Sequence, residues 1–350
     1  MILLRMVKSS QLYVRRAAAS CSVCGAPAVV RISYARLDLC TLHFREFVER
    51  KIARILKKTG LSRARRVIVA VSGGKDSAAM LYALASMLKK DNVELIGVHI
   101  NLGLGEYSEE SMKKAHELCH RVGIPCIIVE LEKVLGVTVP ELAKRARRPT
   151  CSVCGLVKRY ILNAVAVEAD ADYVATGHTA DDIIAYTLKE FMFQNMDGVS
   201  KLAPSTSTVK GLAVGRVRPL YEVTERESLL YSLINGIPFH HSECPYRPRA
   251  PIEQRIKEFV NKLEEEHPGI KITYIRRLER NMGMYHSWGR ESSYGRCKHC
   301  GLASSGVVCG FCRLTEKVTG KPLGEKVRAW IRGVLASLRA EESLMEVRGS

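Results

Sequence analysis

The sequence predicts an α/β fold built on a doubly wound parallel sheet, with a small cysteine-rich module at each end. Three observations predict it. Short β-branched runs alternate with amphipathic segments through the middle of the chain, the pattern of βα units around a parallel sheet. A glycine loop, Ser72-Gly73-Gly74-Lys75-Asp76-Ser77, directly follows the apolar run Val67-Ile68-Val69-Ala70-Val71. Paired Cys-x-x-Cys motifs stand near both ends.

The elements follow in order. A helix over residues 44–58 precedes the first strand, 66–71, whose β-branched residues suit a sheet buried on both faces. Residues 77–89 read as a helix, 93–100 as a strand, 108–122 as a helix and 126–129 as a strand. A helix over 151–169, a strand over 173–176 and a helix over 181–193 complete the alternation, with Phe191, Met192 and Phe193 expected in the core. Residues 202–220 mix Ser, Thr, Pro and Gly with short apolar runs, so they read as a loop and an edge strand. Basic helices over 252–266 and 272–280 lead to the last cysteines. The chain divides into an extension (1–20, expected to be disordered), an N-terminal module with its helix (21–60), a central domain (61–250), basic helices with a C-terminal ribbon (251–320) and a tail helix (321–350).

The 350 residues suffice for one sizeable domain plus small modules. Lys and Arg number 54 against 36 acids, a net charge of +18. Basic residues cluster at Arg63–Arg66, at Lys144-Arg145-Ala146-Arg147-Arg148 and at Arg276-Arg277, blocks that favour a nucleic-acid backbone. No segment reaches the about 18 uninterrupted apolar residues of a transmembrane helix, so no membrane partner is expected. The first twenty residues carry Arg5, Lys8, Arg15 and Arg16 without an acid, a composition shared with organellar transit peptides. The cysteine motif starting at Cys21 favours a plain extension instead. Twelve cysteines at metal-ligand spacing in a chain of this length point to a reducing, cytoplasmic compartment rather than a disulfide scaffold.

Strand, glycine turn and helix N-terminus present backbone N–H groups to an anion, and two glycines let the chain approach a phosphate closely. The loop is not a Walker A motif, because Asp76 rather than Ser or Thr follows Lys75. It resembles the pyrophosphate loop of the ATP pyrophosphatases, which adenylate a carbonyl oxygen and release pyrophosphate.

The cysteines form three groups. Cys21 and Cys24, followed after fifteen residues by Cys40 and His43, supply a tetrahedral zinc shell; Cys297 and Cys300, followed after eight residues by Cys309 and Cys312, supply a second. Four donors leave no open position, so both read as structural zinc. Cys151 and Cys154 open a helix and have no second pair. Of the remaining thiols, Cys119 and Cys126 sit in contexts that favour burial, whereas Cys244 lies in a polar, turn-rich loop. Three thiolates can hold a 4Fe-4S cluster with one open iron; a redox-active pair or a third zinc fits the spacing as well.

The combination resembles a known family. SGGKDS, Pro149-Thr150-Cys151-Ser152-Val153-Cys154-Gly155 with Lys158-Arg159-Tyr160, Thr176-Gly177-His178-Thr179-Ala180-Asp181-Asp182 and Glu243-Cys244-Pro245-Tyr246 resemble the TtuA branch of the TtcA/TtuA tRNA 2-thiolation enzymes, within the ATP pyrophosphatase superfamily. Residues 21–312 carry the resemblance. It implies that Cys151, Cys154 and Cys244 hold a 4Fe-4S cluster whose fourth iron accepts the sulfur to be transferred. It implies that Ala70, Ser72, Gly73, Gly74, Lys75, Asp76, Ser77, His99, Lys158 and Gly177 bind ATP, with magnesium near Asp76. Asp76, Lys158 and Asp182 match positions at the family's reaction centre. Thr179 stands where the family often has Asn; its hydroxyl can cap the helix beginning near Asp181.

The resemblance implies an ATP-dependent tRNA sulfurtransferase. The 2-oxygen of a uridine, in this branch the ribothymidine of the T-loop, is adenylated and replaced by sulfur. A ubiquitin-like protein ending in a thiocarboxylate serves as donor, and the assembly is a homodimer. Lys158 lies four residues beyond Cys154 and shares its helix face. Asp182 serves either as a base or as a helix cap. The alternatives are thiolation of the wobble uridine, an amide-forming ATP pyrophosphatase and a non-catalytic zinc-ribbon RNA-binding protein. The second needs an ammonia source, and no glutaminase domain is present; the third leaves SGGKDS and the three thiols unexplained.

Overall fold

The computed structural model describes residues 19–288 and 294–349. All but the last two positions of the expected 1–20 extension lie outside them. The N-terminal module holds β1 (Val30–Ile32), β2 (Leu37–Leu39) and α1 (Thr41–Thr59). The alternating core follows as β3 (Arg66–Ala70), α2 (Lys75–Leu88), β4 (Glu94–Asn101), α3 (Glu106–Val122) and β5 (Cys126–Glu130). Next come α4 (Leu131–Leu135), α5 (Val139–Ala146), α6 (Thr150–Glu168), β6 (Tyr173–Ala175), α7 (Ala180–Met192), α8 (Met196–Ser200) and β7 (Gly215–Val217). The remainder is α9 (Glu225–Ile234), α10 (Ile252–Glu266), α11 (Ile270–Arg280), α12 (Met282–Trp288), β8 (Gly295–Arg296), β9 (Ala303–Ser304), α13 (Gly310–Thr319) and α14 (Gly324–Gly349).

The central sheet has the order β5-β4-β3-β6-β7, with every neighbouring pair parallel. The chain winds outward from β3 through β4 to β5, then crosses to the other side of β3 for β6 and β7. That reversal opens a crevice at the carboxyl ends of β3 and β6, the place where open α/β sheets bind ligands. Alternation along β3 divides the interior into two cores: Val67 and Val69 pack with α1, α2, α7 and α9, while Ile68 packs with α6, the C-terminal ribbon and α14. The N-terminal module contributes Cys21, Val30 and Leu39 to the first core; the ribbon and α14 contribute Phe311, Val327 and Ile331 to the second.

The expected βα alternation and edge strand are present, and β7 pairs with β6 in parallel register. The central expectation that fails concerns the end of α7. Met192 and Phe193 are 65% and 62% exposed. The last fully buried position of α7 is Thr187, and Phe191 is the last to pack against the core, so the apolar run outlasts the contact face. Phe191 remains half-buried, its ring 5.7 Å from that of Tyr285. Helix α2 starts at Lys75, two residues before the expected Ser77, because Gly74 already takes the extended N-cap conformation. Among the described residues α6 alone has the length and composition to cross a membrane, and its Val153, Val157, Ile161 and Ala164 are buried in the second core.

Candidate active site

The glycine loop leaves β3 after Ala70, and Lys75 and Asp76 form the first turn of α2. Gly73 adopts φ +84°, and a Cβ there would lie 2.5 Å from the Ser111 carbonyl oxygen, so no other residue fits. Ser77 Oγ donates to Gly74 O at 2.9 Å and accepts from Ser72 N at 3.1 Å, which closes the loop on itself. Lys75 Nζ donates to Asp76 Oδ2 at 2.6 Å. Burial opposes the Lys75 charge, yet Asp76, Glu225 and Asp182 hold its pKa above the ordinary lysine value. The second Asp76 oxygen, Oδ1, is buried without a hydrogen-bond partner. A buried carboxylate oxygen left bare beside a phosphate loop suits a divalent cation.

The neighbouring strands complete the pocket's wall. His99, on β4, is 2% exposed, and its Nδ1–H donates to Val71 O at 2.8 Å. That bond assigns the proton to Nδ1 and leaves Nε2 a bare acceptor, buried and unpartnered. Burial, with the Lys158 charge added, lowers the His99 pKa, so the ring is neutral. Gly177, just beyond β6, has no room for a Cβ, which would meet Ser77 N at 2.9 Å. The loop, His99 and Gly177 thus converge at the carboxyl edge of three adjacent strands.

Asp182 occupies a capping box. Thr179 Oγ1 accepts from Asp182 N, and Asp182 Oδ2 accepts from Thr179 N at 2.9 Å. Its other oxygen faces Lys257 Nζ at 2.5 Å, and the same ammonium pairs with Glu225. Burial works against the Asp182 charge, but Lys257 and the Thr179 N–H hold its pKa below the ordinary carboxylate range. Burial raises the pKa of Glu225. Asp181 points elsewhere: it accepts from buried Lys271 at 2.5 Å and from Glu225 N at 2.7 Å. Glu225 and Lys257 are not among the expected site residues. They arrive on α9 and α10, and no local motif links them to residues 176–182.

Cys151 and Cys154 lie in the first turn of α6, and Cys244 lies in the loop between α9 and α10. That loop is tied to the glycine loop: His240 N donates to Gly73 O at 2.8 Å. His240 is itself held by Glu110 at 2.5 Å and by the edge of the Tyr107 ring at 5.0 Å. Cys151 Sγ donates to Tyr246 O at 3.5 Å. Burial pushes the Cys151 thiol up, as do the charges of Cys154 and Cys244, while Lys158 pulls it down. The Lys158 charge acts on both His99 and Cys151.

Two other groups converge far more tightly. Among the described residues, Cys21, Cys24, Cys40 and His43, and likewise Cys297, Cys300, Cys309 and Cys312, bring their donor atoms within 4.8 Å of one another; Cys151, Cys154 and Cys244 do not. The quartets fit a single tetrahedral ion. The wider trio, with only three thiol donors, does not close a four-donor site around a single ion. In the C-terminal quartet, Cys309 N donates to Cys297 Sγ at 3.3 Å and Cys312 N to Cys309 Sγ at 3.4 Å, which spreads thiolate charge onto the backbone.

Comparison with known proteins agrees with this geometry. The family described as PP-loop domain matches residues 44–249, and the family described as 2-thiouridine synthetase TtuA, N-terminal LIM domain, matches residues 20–45. A relative from Pyrococcus horikoshii named tRNA-5-methyluridine(54) 2-sulfurtransferase is 38% identical over 84% of this chain and 92% of its own. One of the same name from Thermus thermophilus is 36% identical over 85% of this chain and 91% of its own. The solved structure of the U34-tRNA thiolase NcsA from Methanococcus maripaludis, with its 4Fe-4S cluster, matches with a TM-score of 0.72 and 28% identity, over 87% of this chain and 96% of that one.

Proposed function

The chain belongs to the PP-loop family of tRNA 2-thiolation enzymes, and on that premise we propose that it replaces the 2-oxygen of 5-methyluridine 54 in tRNA with sulfur, at the expense of ATP. The observation that carries the proposal is the join between two half-sites: the segment bearing Cys244 hydrogen-bonds to Gly73 of the phosphate loop.

The 2-oxygen is a poor leaving group. Its attack on the α-phosphorus of ATP forms a C–O–P linkage and expels pyrophosphate; attack of sulfur at C2 then expels AMP, which carries the oxygen away. The amides at the start of α2 and the Lys75 ammonium stabilise phosphate charge in the first step. Asp76, through Oδ1, would hold a magnesium ion, which neutralises the pyrophosphate. Lys158 meets the negative oxygen that departs with AMP. Lys257 holds Asp182 as a carboxylate, able to take a proton from the base or to orient it. Cys151, Cys154 and Cys244 would hold a 4Fe-4S cluster, which when bound would supply a carrier for the sulfide sulfur.

The test is anaerobic reconstitution with iron and sulfide, then ATP-dependent thiolation of defined tRNAs read by nucleoside mass spectrometry. Thiolation confined to the T-loop ribothymidine is expected. Sulfur at U34 instead would support the second reading, which the likeness to the U34-tRNA thiolase favours.

The proposal extends to zinc in both quartets, a thiocarboxylated ubiquitin-like donor and a homodimer. It also keeps the domain bounds of the sequence reading, with 61–250 as catalytic unit, and a cytoplasmic location.

A further inference from the structure

The C-terminal ribbon turns one face toward the rim of the active site. Between α5, the start of α6 and α13 lies an open cleft of about 300 Å3, lined by Ala146, Arg148, Gly310, Arg313, Leu314 and Lys317. Arg313 and Lys317 stand one turn apart on α13, so their charges share one face. Arg148 forms the opposite wall, and its guanidinium donates to Ser152 Oγ at 2.9 Å, between Cys151 and Cys154 in sequence. Lys317 Nζ donates to Ala146 O at 3.3 Å, at the C-terminus of α5.

These three cations have no carboxylate partner among the described residues. Lys144, Arg145 and Arg147 extend the positive rim beside them. The lining offers charge and small apolar surface, with no ring to stack on a base and no carboxylate to hold a ribose. Such a wall selects the phosphate and not the nucleoside. The row of cations matches a repeating anion better than a lone one. The cleft also lies at the correct edge of the sheet: α6 runs back from the carboxyl ends of the strands, so its first turn, with Arg148 just before it, stands on the same side as the glycine loop.

We infer that this cleft binds backbone phosphates of the tRNA substrate and seats the RNA so that its target base reaches the three-thiol site. The inference rests on the tRNA substrate proposed above. It makes the C-terminal ribbon a part of substrate binding as well as a structural module.

The test uses reconstituted full-length protein carrying Arg313→Glu and Lys317→Glu together, with tRNA affinity measured across a salt series. The slope of log affinity against log salt should flatten by roughly 2, at about 0.9 for each phosphate no longer neutralised. KM for tRNA should rise about tenfold or more at unchanged kcat. Arg148→Gln, on the opposite wall, should flatten the slope by about 1. The charge-conserving pair Arg313→Lys with Lys317→Arg should keep the wild-type slope. Lys89→Glu with Lys90→Glu, at the far edge of the sheet, should also leave it unchanged. An unaltered slope in both cleft variants, or an equal change in the far-edge pair, overturns the inference. A wild-type protein that binds tRNA with these slopes but never thiolates it would refute the proposed reaction and leave the cleft standing.

Discussion

Helix α6 carries two cysteine centres, the three-thiol site at its first turn and the C-terminal quartet docked against its middle. The quartet is closed: its four cysteines are all buried, and Tyr160 of α6 stacks on Phe311 with centroids 3.9 Å apart and donates to Gly324 O at 2.9 Å. Gly324 has no room for a Cβ, which would sit 2.5 Å from Cys312 Sγ. The trio is open. Cys151 is exposed, Cys154 and Cys244 are half-buried, and the charge of Lys158 acts on Cys151. Four donors saturate an ion and stabilise a fold, whereas three donors leave a position for chemistry. One helix thereby couples a rigid anchor to a reactive edge.

Exchanging the fates of the two centres tests that contrast most severely. Cys154→Ala should abolish thiolation and bound iron while thermal unfolding stays near wild type. Cys312→Ala should instead release the ribbon from the second core and lower the melting temperature sharply, as loss of a structural metal does. A Cys312→Ala protein of wild-type stability would break the distinction.

Lys158→Met should lower kcat by about 100-fold to 1,000-fold, the scale of removing one preorganised charge from a transition state, without lowering the melting temperature. The reactive edge should also be the acid-sensitive one. Burial depresses the His178 pKa from 6.5 to about 4. The unfolded chain takes up that proton as pH falls through 6.5, and the native state only near 4. His178 should therefore remove up to about 3 kcal/mol of stability between those values. Denaturant titrations of His178→Gln should show a flatter acid limb. At the anchor, Tyr160→Phe keeps the stack and loses one hydrogen bond, so it should cost about 1 kcal/mol with kcat unchanged.

The features legible in the sequence are those whose residues lie close together along the chain. The glycine loop and both quartets consist of short motifs with fixed spacing, and the structure brings each quartet together as the spacing implies. Lys257 and Glu225 are not legible, because the fold brings them to Asp182 from α10 and α9 across 75 and 43 positions. The anchor between His240 and Gly73 joins two backbone atoms, which leaves no trace in side-chain pattern. Helix α5 does carry a readable signal, since Thr138 and Glu141 form a capping box around Pro140. Met192 and Phe193 mislead for the converse reason: they follow Phe191, which still packs against the core, but lie off its helix face.

The central claim is that the phosphate loop and the three thiols form one active centre. Its most direct test is nucleoside mass spectrometry of tRNA incubated with ATP and a sulfide source, comparing iron-loaded protein, iron-free protein and Cys244→Ala. The account predicts thiolated nucleoside only with iron-loaded wild-type protein and only when ATP is present. Thiolation by the iron-free protein or by Cys244→Ala would contradict it.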